Sequence, residues 1–247
     1  MALRHAQRAQ ALVEGWKRAC DVCQVAWGGG ETPALAGIVA DGRIDLAASC
    51  TGLINPKERL SVGDKLGPGD AIVLLASSGI HANGISLARK LAEQLTDGYR
   101  ATLRDGRTFG EALLDPTELY APITEQLFAA GVHPHYAVNV TGHGWRKLMR
   151  HPAELRYVIR SVPPVPPVLE FLQAQGGMSP RDAYGTFNMG AGFALFVAPG
   201  DVATTLDVAK DAGLAAWHAG DVQAGVKSVV IEPLGVEYAA GDLHLRT

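Results

Sequence analysis

From Ser77 to Gly84 the chain reads Ser-Ser-Gly-Ile-His-Ala-Asn-Gly. Ser77, Ser78, His81 and Asn83 bring two hydroxyls, an imidazole and a carboxamide, all able to donate hydrogen bonds. The residues between them are mostly small, and Gly79 lets an anion approach the backbone closely. An apolar run precedes this stretch, Ala71 to Ala76, and a helix-like segment follows it, Ile85 to Leu91. Strand, small polar loop and helix start together expose backbone N–H groups and the positive end of a helix dipole. That chemistry suits a phosphate, so the first expectation is a protein that handles phosphorylated small molecules, with His81 among the added donors.

Three further stretches have comparable chemistry. Gly28-Gly29-Gly30-Glu31-Thr32-Pro33 is a glycine turn ending in a carboxylate and a hydroxyl. Such a loop can set Mg²⁺ against polyphosphate oxygens, and it is equally an ordinary glycine-rich turn. Asn139-Val140-Thr141-Gly142-His143-Gly144-Trp145 places a polar loop after a strand-like run, where α/β proteins bind ligands. Thr186-Phe187-Asn188-Met189-Gly190-Ala191-Gly192 precedes another strand, and Thr186 and Asn188 either meet a polar ligand or cap the turn. The G-x-x-x-x-G-K-[ST], G-x-S-x-G and H-E-x-x-H patterns do not occur. His133-Pro134-His135 has no carboxylate or cysteine cluster beside it in the sequence, which favours structural histidines over a metal site.

The elements that must position these groups follow from periodicity. Residues 3–24 have helical spacing. Runs 35–40 and 44–54 look like strands joined by a turn at Asp41-Gly42. Loop residues dominate 55–70, which puts a domain boundary near residue 62 and divides the chain into 1–62 and 63–247. Beyond it a strand is expected at 71–76, a helix at 83–95 and a helix at 116–130 with Pro116 in its first turn. Strands are expected near 135–140, 154–162, 193–198, 215–219 and 228–233. Helices are expected from Pro166 or Pro167 to Gly176 and over 201–212. The order is too irregular for a doubly wound sheet and fits an α+β layered sandwich. The proline-rich connector Val162–Pro167 lies between a strand and a helix and reads as a rigid link.

Bulk properties exclude several classes. Net charge is −3, so no basic surface for nucleic acid is evident. No apolar run approaches the roughly 20 residues of a membrane span, and the polar N-terminus has no signal-peptide core. The cytoplasm is the default expectation. Three cysteines are too few for a disulfide framework. Cys20-Asp21-Val22-Cys23 has redox or half-zinc-site spacing, yet no second ligand pair completes a tetrahedral site, so a structural role at a helix end is expected.

Taken in order, these motifs resemble the aminoimidazole ribonucleotide synthetase family, the phosphoribosylformylglycinamidine cyclo-ligases. Gly29-Gly30-Glu31-Thr32 is similar to that family's G-G-E-T. Ser77–Gly84 is similar to S-S-G-P-H-S-N-G, with Ile80 and Ala82 as departures. Asp115-Pro116-Thr117-Glu118-Leu119-Tyr120 resembles A-P-T-x-x-Y, Thr141-Gly142-His143-Gly144 resembles T-G-G-G, and Thr186–Gly190 resembles T-F-N-x-G. The resemblance spans about residues 8–235. It implies a complete C-terminal domain plus the end of an N-terminal ATP-binding and dimerisation domain. It further implies ATP and Mg²⁺ as cofactors, with Glu31 at the metal and Gly29, Gly30 and Thr32 at the nucleotide. Ser77, Ser78, Gly79, His81 and Asn83 would form the anion cradle that holds the substrate phosphate. His81 would also give catalytic electrostatic help or move a proton, and Thr141, Gly142 and Asn188 would line the cleft. A phosphorylated small-molecule substrate is implied, as is a homodimer or a partner chain supplying the rest of the first domain. His143, Trp145 and Asn139 differ from the family pattern and are expected to fall in the cleft. The alternatives are a phosphometabolite-binding module without catalysis, or a sister kinase or synthetase of the same superfamily.

Overall fold

The computed structural model describes residues 2–33, 35–40 and 42–243, and its chain packs as two units, Met1–Leu60 and Ser61–Thr247. The first unit holds α1 (Ala2–Val22), as the helical spacing predicts, and a 3-10 turn at Lys57–Arg59. The strands expected at 35–40 and 44–54 do not form among its described residues. Their apolar side chains are open to solvent, with Ile38 80% and Leu53 97% exposed. Alternating hydrophobicity makes a strand only where another strand and a covered face accept it. Asp41, half of the expected turn there, lies outside the described residues.

The second unit is a seven-stranded sheet with helices on both faces, an α+β layered fold. Its strands are β1 (Ala71–Ala76), β2 (Tyr136–Asn139), β3 (Leu155–Ile159), β4 (Ala191–Val197), β5 (Ala216–Ala224), β6 (Ser228–Ile231) and β7 (Val236–Ala239). They lie in the order β2-β4-β1-β5-β3-β6-β7, and all neighbours are antiparallel except β3 and β6. Strand β1 is central, and its unbroken apolar sequence reflects burial on both faces. Ile72 and Leu74 enter one core and Ala71, Val73 and Leu75 the other. The Ile, Leu and Val side chains among them each contribute about 1.5–3 kcal/mol by leaving water.

The larger core lies under α2 (Ile85–Gln94), α3 (Phe109–Ala112), α5 (Pro167–Gln175) and α6 (Pro180–Thr186). The smaller lies under α4 (Ala121–Ala129) and α7 (Val202–Asp211), through Ile123, Leu127 and Ala209. Helix α4 corrects the expectation of a helix opening at Pro116. Residues 115–120 are irregular and Pro122 occupies the first turn instead. Asp115 is held there by Arg107, which donates to both its carboxylate oxygens at 2.8 and 3.0 Å. Pro167 does open α5. Cys20, Cys23 and Cys50 are free thiols. His135 donates from Nδ1 to the buried carboxylate of Asp70, 2.9 Å away, which makes it a structural histidine. No described helix is long and apolar enough to cross a membrane.

Candidate active-site cleft

Strands β1 and β2 point the same way, each antiparallel to β4 between them. Their carboxyl ends and the amino end of β4 therefore meet, and loops from all three surround an open cleft of about 620 Å³. The loop after β1 contributes His81 and Ala82, and the irregular stretch before α4 contributes Thr117, Glu118 and Tyr120. Strand β2 lines the cleft along its length from Tyr136 to Asn139. Thr141, Arg150, Gly192 and Phe193 complete it.

Asn188 ties these loops together. It is 3% exposed. Its Oδ1 accepts from Ser77 Oγ at 2.7 Å and from Gly190 N at 3.0 Å, and its Nδ2 donates to the Gly79 carbonyl at 2.8 Å. Its own carbonyl accepts from Trp145 Nε1 at 2.7 Å. Asn83 Nδ2 donates to the Thr186 carbonyl at 2.8 Å, and Ser78 Oγ to the Pro116 carbonyl at 2.5 Å. The polar side chains of Ser77, Ser78, Asn83 and Asn188 thus bond to the protein itself. None of the four, nor Gly79 or Gly142, is among the residues that line the cleft. They fix its walls, and His81 and Thr141 are the predicted residues whose surfaces face it. Gly29, Gly30, Glu31 and Thr32 belong to the first unit, exposed and without regular structure.

His81 has φ of +56°, a left-handed backbone that non-glycine residues seldom adopt. The conformation folds its ring back on its own loop, where Nε2 accepts from the Ser78 N–H at 3.1 Å. An accepting Nε2 assigns the ring proton to Nδ1. Burial also disfavours the imidazolium and lowers the pKa of His81 below 6.5. His81 is therefore a neutral imidazole at pH 7. Gly192 makes room for it, since a Cβ there would lie 2.0 Å from Tyr120 Oη and 2.8 Å from His81 Cε1. Tyr120 donates its hydroxyl to the Ala76 carbonyl at 2.7 Å and stacks on Phe193, centroids 5.1 Å apart. Burial first, and Glu118 second, hold its phenol protonated.

On the β2 side Lys147 donates from Nζ to Thr141 Oγ1. Burial, with the Arg150 charge second, lowers its pKa. The segment Gly144–Met149 is a 3-10 stretch, not an open loop. Trp145 is wholly buried within it, 5.0 Å from the Tyr184 ring. That corrects its expected place in the cleft: the indole is a core side chain that supports Asn188. His143 is absent from the cleft lining too, whereas Asn139 is on it. Sequence reasoning missed Tyr136 and Arg150 because no motif contains them. Arg150 follows the T-G-H-G stretch closely in sequence, and the 3-10 turn brings it back to the cleft.

Glu31, expected at a metal, belongs to no ready-made cluster: no group of three or more His, Cys, Asp or Glu side chains able to hold a metal forms among the described residues. Mg²⁺ commonly takes one or two carboxylates and completes its shell with water and phosphate oxygens. One carboxylate is within what that coordination needs, so a single Glu31 does not by itself make a preformed protein site.

A mixed sheet with its polar loops knitted around an edge cleft defines the class. The chain belongs to the AIR synthase related protein family, residues 67–232 matching that family's C-terminal domain. Among its relatives are phosphoribosylformylglycinamidine cyclo-ligases. That of Lachnospira eligens is 33% identical over 231 residues, covering 91% of this chain and 67% of the relative. That of Nitrosococcus oceani is 36% identical over 217 residues, covering 87% and 60%. The chain thus spans about two thirds or less of the length of these relatives. Among solved structures, the hydrogenase maturation protein HypE of E. coli aligns over 74% of this chain and 53% of its own, with a TM-score of 0.48 and 18% identity.

Proposed function

We propose that this chain carries the substrate-binding portion of an ATP-dependent cyclo-ligase of purine biosynthesis, converting formylglycinamidine ribonucleotide to aminoimidazole ribonucleotide. The observation that supports this reading best is that the loops carrying the family-like motifs converge, through Asn188, on one cleft. ATP with Mg²⁺ would supply the phosphoryl group that turns the formyl oxygen into a leaving group, with Gly29, Gly30, Glu31 and Thr32 on the nucleotide side. Ring closure by the substrate's amidine nitrogen would then expel phosphate.

The cleft residues act on the substrate by position and polarity. His81, neutral and protonated at Nδ1, is suited to donate a hydrogen bond to an oxygen on which charge develops. Glu118 is the carboxylate on the cleft wall and is suited to hold the amidine and take its proton on ring closure. The half-buried Tyr120 and Phe193 keep that end of the cleft apolar. A second copy or another chain is proposed to complete the first unit, whose apolar side chains Ile38, Ile44, Leu46 and Leu53 stand exposed.

The test is formation of aminoimidazole ribonucleotide and release of phosphate from Mg-ATP and formylglycinamidine ribonucleotide. The oligomeric state is measured by light scattering in the same buffer. Turnover that depends on both substrates, and falls at least a hundredfold in His81→Ala, is expected. Micromolar binding of the ribonucleotide without ATP turnover would instead favour a non-catalytic binding module.

A further inference from the structure

We propose that the β2 side of the cleft is a phosphate subsite in which Arg150 and Lys147, with the hydroxyl of Thr141, hold the monoester phosphate of the substrate. The inference deepens the reading above and rests on its claim that the cleft takes a phosphorylated molecule.

The loop expected to cradle the anion has already committed its side chains. Ser77, Ser78 and Asn83 bond to Asn188, Pro116 and Thr186. The Ser77 N–H donates to the Gly190 carbonyl and the Ser78 N–H to His81. An incoming phosphate would have to break those bonds.

The cationic charge on the cleft is elsewhere, and it is unneutralised. Arg104, Arg107, Arg156, Arg160 and Arg181 each reach a carboxylate. Arg150, on the cleft wall, and Lys147, which is not itself on the lining but is half-buried and bonded to Thr141 on it, make no ion pair among the described residues. Two neighbouring cations without an anion repel each other, and burial makes the ammonium costlier still. The lowered pKa of Lys147 registers both effects. A phosphate dianion would relieve both at once, accepting from a guanidinium fork and an ammonium.

The rest of the cleft fits such an orientation. Glu118 belongs to the irregular stretch before α4, whereas Arg150 and Lys147 follow β2. A phosphate is repelled by Glu118 and attracted by Arg150, so one end of the ligand is chosen by charge. A volume of about 620 Å³ holds a pentose phosphate with a short substituent.

The test is calorimetric titration of the full chain with ribose 5-phosphate, with ribose, and with a non-hydrolysable ATP analogue. Arg150→Gln and Lys147→Gln are compared with Lys210→Gln on α7, which has the same change in net charge. Arg150 is exposed, so its variant carries the test if the half-buried Lys147 variant unfolds. Ribose 5-phosphate binding should weaken about tenfold or more in each cleft variant, as expected for charge-assisted hydrogen bonds. It should be unchanged in Lys210→Gln, and ribose should bind no better than buffer. Unchanged affinity in both cleft variants overturns the proposal, as does wild-type protein that binds no ribose 5-phosphate at millimolar concentration. Weakening seen for the ATP analogue alone also overturns it, because the subsite would then serve the nucleotide. The parent reading fails separately: phosphate binding that depends on Arg150, in a protein without cyclo-ligase turnover, keeps the subsite and removes the activity. Turnover with an unchanged KM for the ribonucleotide in both cleft variants does the reverse.

Discussion

At the scale of single residues, Asn188 and His81 show how one side chain sets the site. Asn188→Ala would strand the Ser77 hydroxyl, the Gly190 N–H and the Gly79 carbonyl, all facing a buried position. An unsatisfied buried polar group costs about 1–3 kcal/mol, so with partial rearrangement the variant should lose roughly 3 kcal/mol. A urea denaturation midpoint indistinguishable from wild type would refute that role. His81 makes a pH-dependent contribution whose sign follows from its burial. Its folded pKa is below 6.5, so between the two values the unfolded chain binds the proton and the folded chain does not. Its share of stability is complete above about pH 6.5 and is lost as pH falls through the folded value. His81→Asn keeps a residue type that tolerates the left-handed backbone and removes this titration. Wild type should therefore lose more stability than His81→Asn between pH 7.5 and pH 5.5, measured by urea unfolding at each pH. Equal losses would mean that the imidazole is not held neutral by the fold.

At the scale of elements, the two glycines of Thr141–Gly144 have unequal duties. Gly144 has φ of +53°, and a Cβ there would lie 2.1 Å from the Tyr184 carbonyl oxygen at the adjoining helix α6. Gly142 would place a Cβ 3.2 Å from Asn83 Oδ1, a contact a side chain can relax. Gly144→Ala should cost more than about 3 kcal/mol and Gly142→Ala about 1 kcal/mol or less, read from thermal unfolding of the two variants. The contrast also shows what the sequence could convey. The T-G-H-G string marked a polar, glycine-rich loop, but the carbonyl that forbids a Cβ at Gly144 comes from an element 40 residues downstream. Strand β1 was legible because burial on two faces writes an unbroken apolar run, and α5 because Pro167 opens it. Helix α6 and strand β7 went unread. Each is short, and polar residues such as Arg181, Asp182 and Glu237 interrupt its apolar pattern. Pro116 misled for the opposite reason: a proline suits a first helical turn and an extended segment equally well. At the site, the motifs named the right residue types without their partners. Ser77 and Asn188 are 111 residues apart, so sequence alone could not show that each satisfies the other rather than a ligand.

At the scale of the whole molecule, the two units differ in what each can bury. Residues 61–247 contain the complete sheet and both hydrophobic cores. None of the described residues of 1–60 belongs to either core, and large apolar side chains there, Leu12, Val13, Ile38, Ile44 and Leu53 among them, are exposed. Folding requires apolar burial to offset an ordering entropy of about 1–2 kcal/mol for each backbone residue. The second unit meets that requirement from its own sequence and the first does not. A fragment of residues 61–247 should therefore unfold in one cooperative transition and keep the near-ultraviolet dichroism of buried Trp145. A peptide of residues 1–60 should show at most the partial helicity of α1, because most of a helix's stability comes from packing an apolar face, which the peptide lacks. Its helicity should rise with concentration if a second copy covers the exposed apolar side chains. A 61–247 fragment that melts without cooperativity would show that the second unit draws stability from the first. A 1–60 peptide with its own sharp transition would show that the apolar surface of the first unit closes on itself.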